Sequence, residues 1–388
     1  MIDTAHEMEE LQRLGRLRTL RQIASAPGPT VVVEGKTYLM FSSNDYLGLA
    51  AHPSMIKAAA AAAAKWGVGA GASRLVSGTM LLHEELERDI AWFKQTEAAL
   101  LFGCGYMANI GILSALAGPG DDIFSDELNH ASIIDGCRLS RARTVVYPHC
   151  DIHALEGMLA SSQGRRRIIV TDGVFSMDGD IAPVPDLLKL ARRFDAVLLL
   201  DDAHATGTIG KNGKGTLEHF GIGHCPDNVM IMGTLGKALG CFGAFFAGTV
   251  SLRTYLINHA RSFIFTTALP PPVVAAAREA LHFLIQEPER IKRLQDNAAY
   301  LRTGLRSIGF TIDEHPTPII PLMVGASDRA AAWAQRLFDK GLFITAIRPP
   351  AVPEGTARLR LTALATHTRE HLDAALNIIK ETAHGYIR

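Results

Sequence analysis

Along most of this 388-residue chain, short apolar runs alternate with longer stretches whose apolar residues recur every three or four positions. The short runs read as buried strands and the longer periodic stretches as helices. Strands are expected at 98–102, 123–125, 144–147, 168–171, 197–200, 229–232 and 244–248, with helices between them. That alternation implies a mostly parallel sheet with helices on both faces. Ahead of it, a polar, Arg-rich helix is expected over 5–24, with Leu11, Leu14, Leu17 and Leu20 on one stripe. Two short strands, 31–33 and 38–41, precede the turn SSNDYLGL, and His52-Pro53 opens an alanine-rich helix reaching about Trp66. The prolines 270–272 mark a hinge into a smaller unit. Two helices are expected there, then strands near 310–312, 319–324, 343–347 and 358–362, a helix near 327–340 and a final helix. The expected division is an N-terminal helix and arm over 1–45, a large domain over 46–270 and a small C-terminal α/β domain over 271–388.

Composition narrows the functional classes. Lys plus Arg and Asp plus Glu both number 39, so no nucleic-acid footprint or polybasic membrane surface is expected. The five cysteines show no CxxC spacing and read as reduced thiols of a cytoplasmic protein, with no metal site. The N-terminus lacks the apolar segment of a signal peptide, and no apolar run is long enough to span a membrane.

The chemistry centres on GTLGKALG, residues 233–240, which follows the strand expected at 229–232 and carries a single lysine, Lys237. A phosphate-binding GxxxxGK[ST] loop is excluded, because Ile231 stands at the first glycine position and Ala238 follows the lysine. A lysine that condenses with a carbonyl remains, against the plainer alternative of a solvated lysine in a glycine turn.

Ligands of an open parallel sheet gather beyond the carboxyl ends of its strands, and here four further strand ends are polar. They carry GCGYMAN (103–109), DELNHAS (126–132), DGVFSMDGD (172–180) and DDAH (201–204). Each fits a part of pyridoxal 5'-phosphate (PLP). Lys237 answers the aldehyde, and Asp201 answers the ring nitrogen, which must stay protonated to draw in electrons. The backbone N–H groups of Gly105 and Tyr106, at a helix start, answer the phosphate. His130 can cover the ring face, while His204 and Ser176 can hold the ring hydroxyl.

Two other readings compete. GCGYMA matches the dinucleotide fingerprint GxGxxG/A, which allows an NAD-dependent oxidoreductase with Asp121 or Asp122 near the ribose. Those acids precede the next strand, however, whereas a ribose-binding acid should end it, and Lys237 and Asp201 would stay unexplained. The other reading is a non-catalytic partner subunit, which would have no use for Lys237.

Together SSNDYLGL, GASRLVSGT, NHASIIDG, VFSMDGD, DDAH, GTLGKALG and RLRLTALATHT resemble the α-oxoamine synthases, fold-type I PLP-dependent transferases of the aspartate aminotransferase type, over nearly the whole chain. TPIIPLMVG, TTALPPP and AIRPPAVPEGTARLRLT resemble the biotin-pathway branch most. The implied reaction joins L-alanine to a pimeloyl thioester with loss of CO2; a glycine C-acetyltransferase is the alternative within the family. By resemblance, Lys237 is the cofactor lysine and the base for the alanine Cα proton, Asp201 pairs with the ring nitrogen, and His130 stacks on the ring. His204 and Ser176 hold the ring oxygen, and Gly105, Tyr106 and Thr234 hold the phosphate. Arg360 binds the substrate carboxylate with Asn44 nearby, and Arg21 and Arg348 face the acyl substrate. Arg358 and Arg360 share one face of an expected strand, where a solvated face is the plainer alternative to a carboxylate clamp. Relatives often carry Thr after IRPP where this chain has Ala351. The resemblance also implies a homodimer whose sites are completed across the interface, with Thr267 reaching the other subunit's phosphate. Coenzyme A and acyl carrier protein both remain open as the acyl carrier. The clusters 138–143 and 165–167 could meet either one or simply be solvated.

Overall fold

A computed structural model describes residues 4–386. The first helix spans Thr4–Arg13 and is therefore shorter than the leucine stripe suggests. Gly15 stops it at φ 63°, and the amide of Arg16 donates back to the Leu11 carbonyl at 2.7 Å. That bond is the signature of a helix closed by a left-handed glycine. Leu20, expected on the helical stripe, is fully exposed. Strands β1 (Thr30–Val33) and β2 (Lys36–Met40) pair antiparallel. The alanine-rich helix runs Pro53–Trp66, with His52 as its N-cap and Pro53 in its first turn.

The central sheet has seven strands. They are β3 (Ala98–Phe102), β4 (Asp122–Asp126), β5 (Arg143–Tyr147), β6 (Arg167–Asp172), β7 (Ala196–Asp201), β8 (Val229–Thr234) and β9 (Ala244–Gly248), in the order β3-β9-β8-β7-β6-β4-β5. All neighbours are parallel except β9, which runs antiparallel to both β3 and β8. One face of the sheet is read directly from its period of two. Leu100 and Phe102, Ile168 and Val170, Met230 and Met232, and Ala244 and Phe246 join a single buried cluster with Ile112, Leu113 and Ile133 from the helices.

Four more strands follow: β10 (Ile319–Gly325), β11 (Leu342–Phe343), β12 (Thr345–Ile347) and β13 (Ala357–Thr362). β10, β13 and β12 form one antiparallel sheet, while β11 adds to β2 in parallel. The expected strand over 343–347 is thus two short strands in different sheets. The strand expected at 310–312 is absent. The Phe310 amide instead closes the preceding helix, Glu289–Ile308, by donating to the Leu305 carbonyl at 3.1 Å. Its ring stacks on Trp333, so these apolar residues cover a helix end.

The backbone groups into two units. Among the described residues, one holds 4–48, 177–179 and 292–386; the other holds 49–176 and 180–291. The arm therefore groups with the C-terminal residues, and the boundary falls at Ile291 and not at the prolines. Pro271 and Pro272 open the helix Pro271–Gln286, which packs in the larger unit against Pro53–Trp66. Prolines at a helix start fit there because the first turn needs no amide donor.

Candidate active site

In the larger unit the expected residues fall at the carboxyl ends of the strands. Asp201 ends β7 and is 3% exposed. Its carboxylate accepts from the Asn109 amide nitrogen at 2.8 Å and from the Ala203 N–H at 3.0 Å. Burial raises the pKa of Asp201, while the charge of Lys237 and these two donors work the other way. Asp202, the neighbouring candidate, is committed elsewhere. It pairs with Lys94 at 2.8 Å and accepts from the Thr216 hydroxyl at 2.5 Å. Strand alternation sends the two carboxylates opposite ways, and Asp201 is electrostatically linked to Lys237 and His130.

Lys237 lies in the tight connection between β8 and β9. Its carbonyl accepts from the Gly240 amide, Leu235 exchanges backbone bonds with Gly243 and Cys241, and Leu235, Ala238 and Leu239 are buried. Gly240 adopts φ 63°, and a Cβ there would lie 2.3 Å from the Ala50 nitrogen, so glycine is required. Thr234 donates to the Gly243 carbonyl and accepts from the Gly236 amide, both at 3.1 Å. A half-buried lysine is thereby held on a stiff turn.

His130 caps the helix Ala131–Ser140, its Nδ1 accepting from the Ser132 amide at 3.2 Å. The Ser132 hydroxyl meets the same nitrogen at 2.7 Å and accepts from Asn109 at 2.9 Å. Burial lowers the His130 pKa, partly offset by Asp201 and reinforced by Lys237, which leaves a neutral ring. Tyr106 approaches that ring edge-on with centroids 6.5 Å apart, and its hydroxyl bonds Asp135. Gly105 and Tyr106 open the helix Gly105–Leu116, whose N-cap, Cys104, contributes no side-chain bond. Its first amides are thus presented to a ligand.

His204 is buried just beyond β7. Ser176 lies within the turn closed by the bridge between Val174 and Ile181. Thr267 is exposed and bridges to Ser73. Asn109 and Ser132 were not singled out in the sequence, although Asn109 is a buried amide inside an otherwise apolar helix. The Oδ1 of Asn109 is a buried acceptor with no hydrogen-bond partner among the described residues. A buried Asp201 held by two hydrogen-bond donors, a lysine in electrostatic reach, a neutral imidazole, an uncapped helix start and this orphan acceptor fit a flat, phosphorylated aldehyde with a protonated ring nitrogen.

Asp121 and Asp122, weighed as ribose contacts, are taken by arginines. Arg165 binds Asp121 at 3.0 and 3.1 Å, and Arg143 binds Asp122 at 2.7 Å through two nitrogens. These bonds also account for two arginines of the basic clusters. Asp126, His149 and Cys150 bring three potential metal ligands together. His149, however, is held between the carboxylates of Asp126 at 2.9 Å and Asp180 at 2.8 Å. Burial works against its charge, but these two hydrogen bonds push its pKa up to about 12, so it is an imidazolium.

In the smaller unit, both arginines of β13 are buried, Arg358 at 4% and Arg360 at 8% exposure, so the strand face is not solvated. Arg358 pairs with Asp178, whereas Arg360 donates to Asn44 Oδ1 and to the Tyr46 hydroxyl, each at 3.0 Å. A planar guanidinium held by two hydrogen bonds in this way has the geometry for two-point binding of a carboxylate. Arg348 donates to the carbonyls of Gly15 and Leu17. Arg21 lies 3.7 Å from the Phe338 ring centre and donates to Gln335. Ala351 is exposed in the turn after Pro350. A pocket of about 380 Å³ is lined by Ile23, Val31, Met40 and Phe343, with hydroxyls from Ser42 and Thr345.

The aminotransferase class I and II profile matches residues 36–379. The chain belongs to that family of fold-type I transferases and, within it, to the α-oxoamine synthases. It is 49% identical to 8-amino-7-oxononanoate synthase of Lysinibacillus sphaericus, with 97% of this chain and 96% of that protein covered. Against the enzyme of the same name from Geobacter sulfurreducens, identity is 51%, with 96% and 95% covered. The solved serine palmitoyltransferase from S. paucimobilis, with a bound PLP–myriocin aldimine, superposes with a TM-score of 0.92 at 32% identity, covering 99% of this chain and 97% of that one.

Proposed function

We propose that this chain is a PLP-dependent acyltransferase that joins L-alanine to a pimeloyl thioester, releasing CO2 and free thiol and forming 8-amino-7-oxononanoate for biotin synthesis. The observation that carries this reading is the identity of 49% and 51%, over nearly the full chain, to two synthases of that name. The shared backbone does not choose the substrates, since serine palmitoyltransferase has the same one.

When bound, PLP supplies an aldehyde for amines and a ring that accepts electrons from the adjoining carbon. Lys237 would hold the aldehyde carbon, and its amine would be the base for the alanine Cα proton. Asp201 would keep the ring nitrogen protonated, and Asn109 orients that carboxylate. The neutral His130 would cover the ring, and His204 with Ser176 would hold the ring oxygen. The amides of Gly105 and Tyr106, with Thr234, would hold the phosphate. Arg360, with Asn44, would bind the alanine carboxylate, the group lost as CO2. The acyl chain would lie along the apolar lining of Ile23, Val31, Met40 and Phe343, with Arg21, Arg348 and Ala351 on the acyl side.

The active form in this proposal is a homodimer whose sites are completed by Thr267 of the other subunit. Support comes from exposed apolar side chains beside Thr267 and its bridge: Phe265 at 70% and Val76 at 79%. Five free cysteines fit a cytoplasmic protein, and no helix among the described residues is long and apolar enough to cross a membrane.

The test incubates the purified protein with alanine, glycine or serine and with acetyl, succinyl, palmitoyl or pimeloyl thioesters, on coenzyme A and on acyl carrier protein. Thiol release and the ketone product are measured. Pimeloyl with alanine is expected to be fastest; a faster reaction of glycine with acetyl-CoA would replace this reading by a glycine C-acetyltransferase. One methyl in an apolar pocket is worth about 1–3 kcal/mol, so some glycine turnover is expected.

A further inference from the structure

The parallel register of β6 and β7 sets Asp172 directly beside Asp201 at the carboxyl end of the sheet. Both are 3% exposed. Two carboxylates in such surroundings cannot both ionise cheaply. Their hydrogen bonds differ in a way that tells them apart. Asp201 accepts from both Asn109 and Ala203. The Asp172 carboxyl instead accepts from one backbone donor, the His130 N–H, at 2.9 Å. That contact belongs to a wider clamp. The Asp172 amide donates to Asn129 Oδ1 at 2.9 Å, and the Asn129 amide nitrogen donates to the Val170 carbonyl and the Ser125 hydroxyl, also at 2.9 Å. The peptide carrying His130 is therefore fastened to the end of β6 from two sides, and Asp172 makes one of the two attachments.

We propose that Asp172 is a positioning residue of this site: its carboxyl, in the neutral form, fixes the His130 peptide, while Asp201 beside it keeps the negative charge. The inference rests on the reading of the site as a PLP site. Burial pushes the Asp172 carboxyl well above the usual range, and Asp201 pushes it further, against smaller opposing effects of Lys237 and the His130 amide. A neutral acid still offers its carbonyl oxygen to the His130 N–H, so the clamp costs the site no second buried charge. Asp201 can then serve the ring nitrogen undisturbed.

The experiment compares Asp172→Asn, Asp172→Ala and Asp201→Asn in the full-length enzyme. Asn at position 172 keeps an acceptor of the same shape and cannot ionise. Asp172→Asn is expected to keep kcat and the dissociation constant for PLP within about threefold of wild type. Asp172→Ala is expected to weaken PLP at least tenfold, and Asp201→Asn to lower kcat far more than either. A loss in Asp172→Asn comparable to that in Asp201→Asn would mean that position 172 must be charged, and the proposal fails. Wild-type PLP affinity in Asp172→Ala would equally overturn it, because nothing would then hang on the clamp. Should Asp172→Ala not fold, Asp172→Asn still decides. A wild-type protein that binds no PLP would instead overturn the functional reading itself, and the two failures stay distinct.

Discussion

Asn109 and Asp201 lie 92 residues apart, yet the amide of one donates to the carboxylate of the other at 2.8 Å. The second amide hydrogen goes to Ser132, whose hydroxyl meets His130. One buried side chain thus orients both the carboxylate assigned to the ring nitrogen and the imidazole assigned to the ring face. Asn109→Ala is expected to lower kcat by about ten- to a hundredfold. An unsatisfied buried acceptor costs about 1–3 kcal/mol, and that cost falls here on the charged form of Asp201. Steady-state kinetics at saturating PLP would check this; an unchanged kcat would show that Ala203 orients Asp201 alone.

Lys237 is the single lysine assigned to hold the cofactor aldehyde. Lys237→Ala is expected to abolish both synthase activity and the borohydride-trapped peptide adduct of PLP, while non-covalent binding through the phosphate and ring contacts persists. Peptide mapping that finds the adduct on another lysine would refute the assignment.

Asp202 and Lys94 form a buried pair with side chains at most 1% exposed, and the same lysine donates to Thr206. Removing one partner strands the other charge, so Lys94→Met should destabilise the fold by roughly 3–5 kcal/mol. Urea unfolding would measure this. Activity per folded molecule should stay close to wild type, in contrast to Asp201→Asn, because the Asp202 pair is directed away from Lys237.

His149 carries a pH signature. Its pKa is raised to about 12 by Asp126 and Asp180, against the opposing pull of burial. A raised folded-state value means that its stabilisation is complete below the unfolded value of about 6.5 and fades as pH climbs towards 12. Wild type should therefore lose more stability between pH 7 and pH 10 than His149→Asn does, as read from thermal melting at each pH. At pH 6, His149→Ala should cost roughly 3 kcal/mol, the lower end for breaking a buried ion pair, since the ring is partly exposed. Parallel stability curves for wild type and His149→Asn would show that the imidazolium contributes nothing.

Arg360 donates to Asn44 and Tyr46 and is the guanidinium assigned here to a substrate carboxylate. Arg360→Lys preserves the charge but loses the planar two-point geometry. A rise in the alanine KM of about tenfold, with the thioester KM little changed, is expected in steady-state assays. A rise confined to the thioester would move Arg360 to the acyl side.

The strands and the residues at their ends were legible because a strand buried on both faces must be a continuous apolar run, so the first polar residue after it stands out. Asp201 announces itself in that way, and Lys237 and His130 lie within the short glycine-rich and polar segments that follow such runs. Asp172 stands at such a strand end as well, but its role, like those of Asn109 and Ser132, depends on which residues it meets and not on where its own element stops. Of the latter two, Asn109 alone left a trace, as an amide within the apolar turns of GYMANIGILSAL. The leucine stripe after Arg13 misled because a period of three or four cannot register that Gly15 turns left-handed. The prolines at 270–272 misled for a related reason: a break in one element and the start of the next look alike in sequence.

The position of β9 has a consequence for how the chain is made. β3 touches the sheet through β9 alone, and β9 is the last of the seven strands to be synthesised. The helix Gly105–Leu116 packs early on the helix Ala131–Ser140, but β3 itself gains no sheet neighbour until roughly 140 further residues have emerged and β9 has slotted between β3 and β8. Such long-range closures come late in folding. A nascent or truncated chain ending before Ala244 would hold Asp201 and Lys237 while β3, which leads into Gly105, has no sheet neighbour, so finished molecules are expected to bind the cofactor best and to be the ones it protects from degradation.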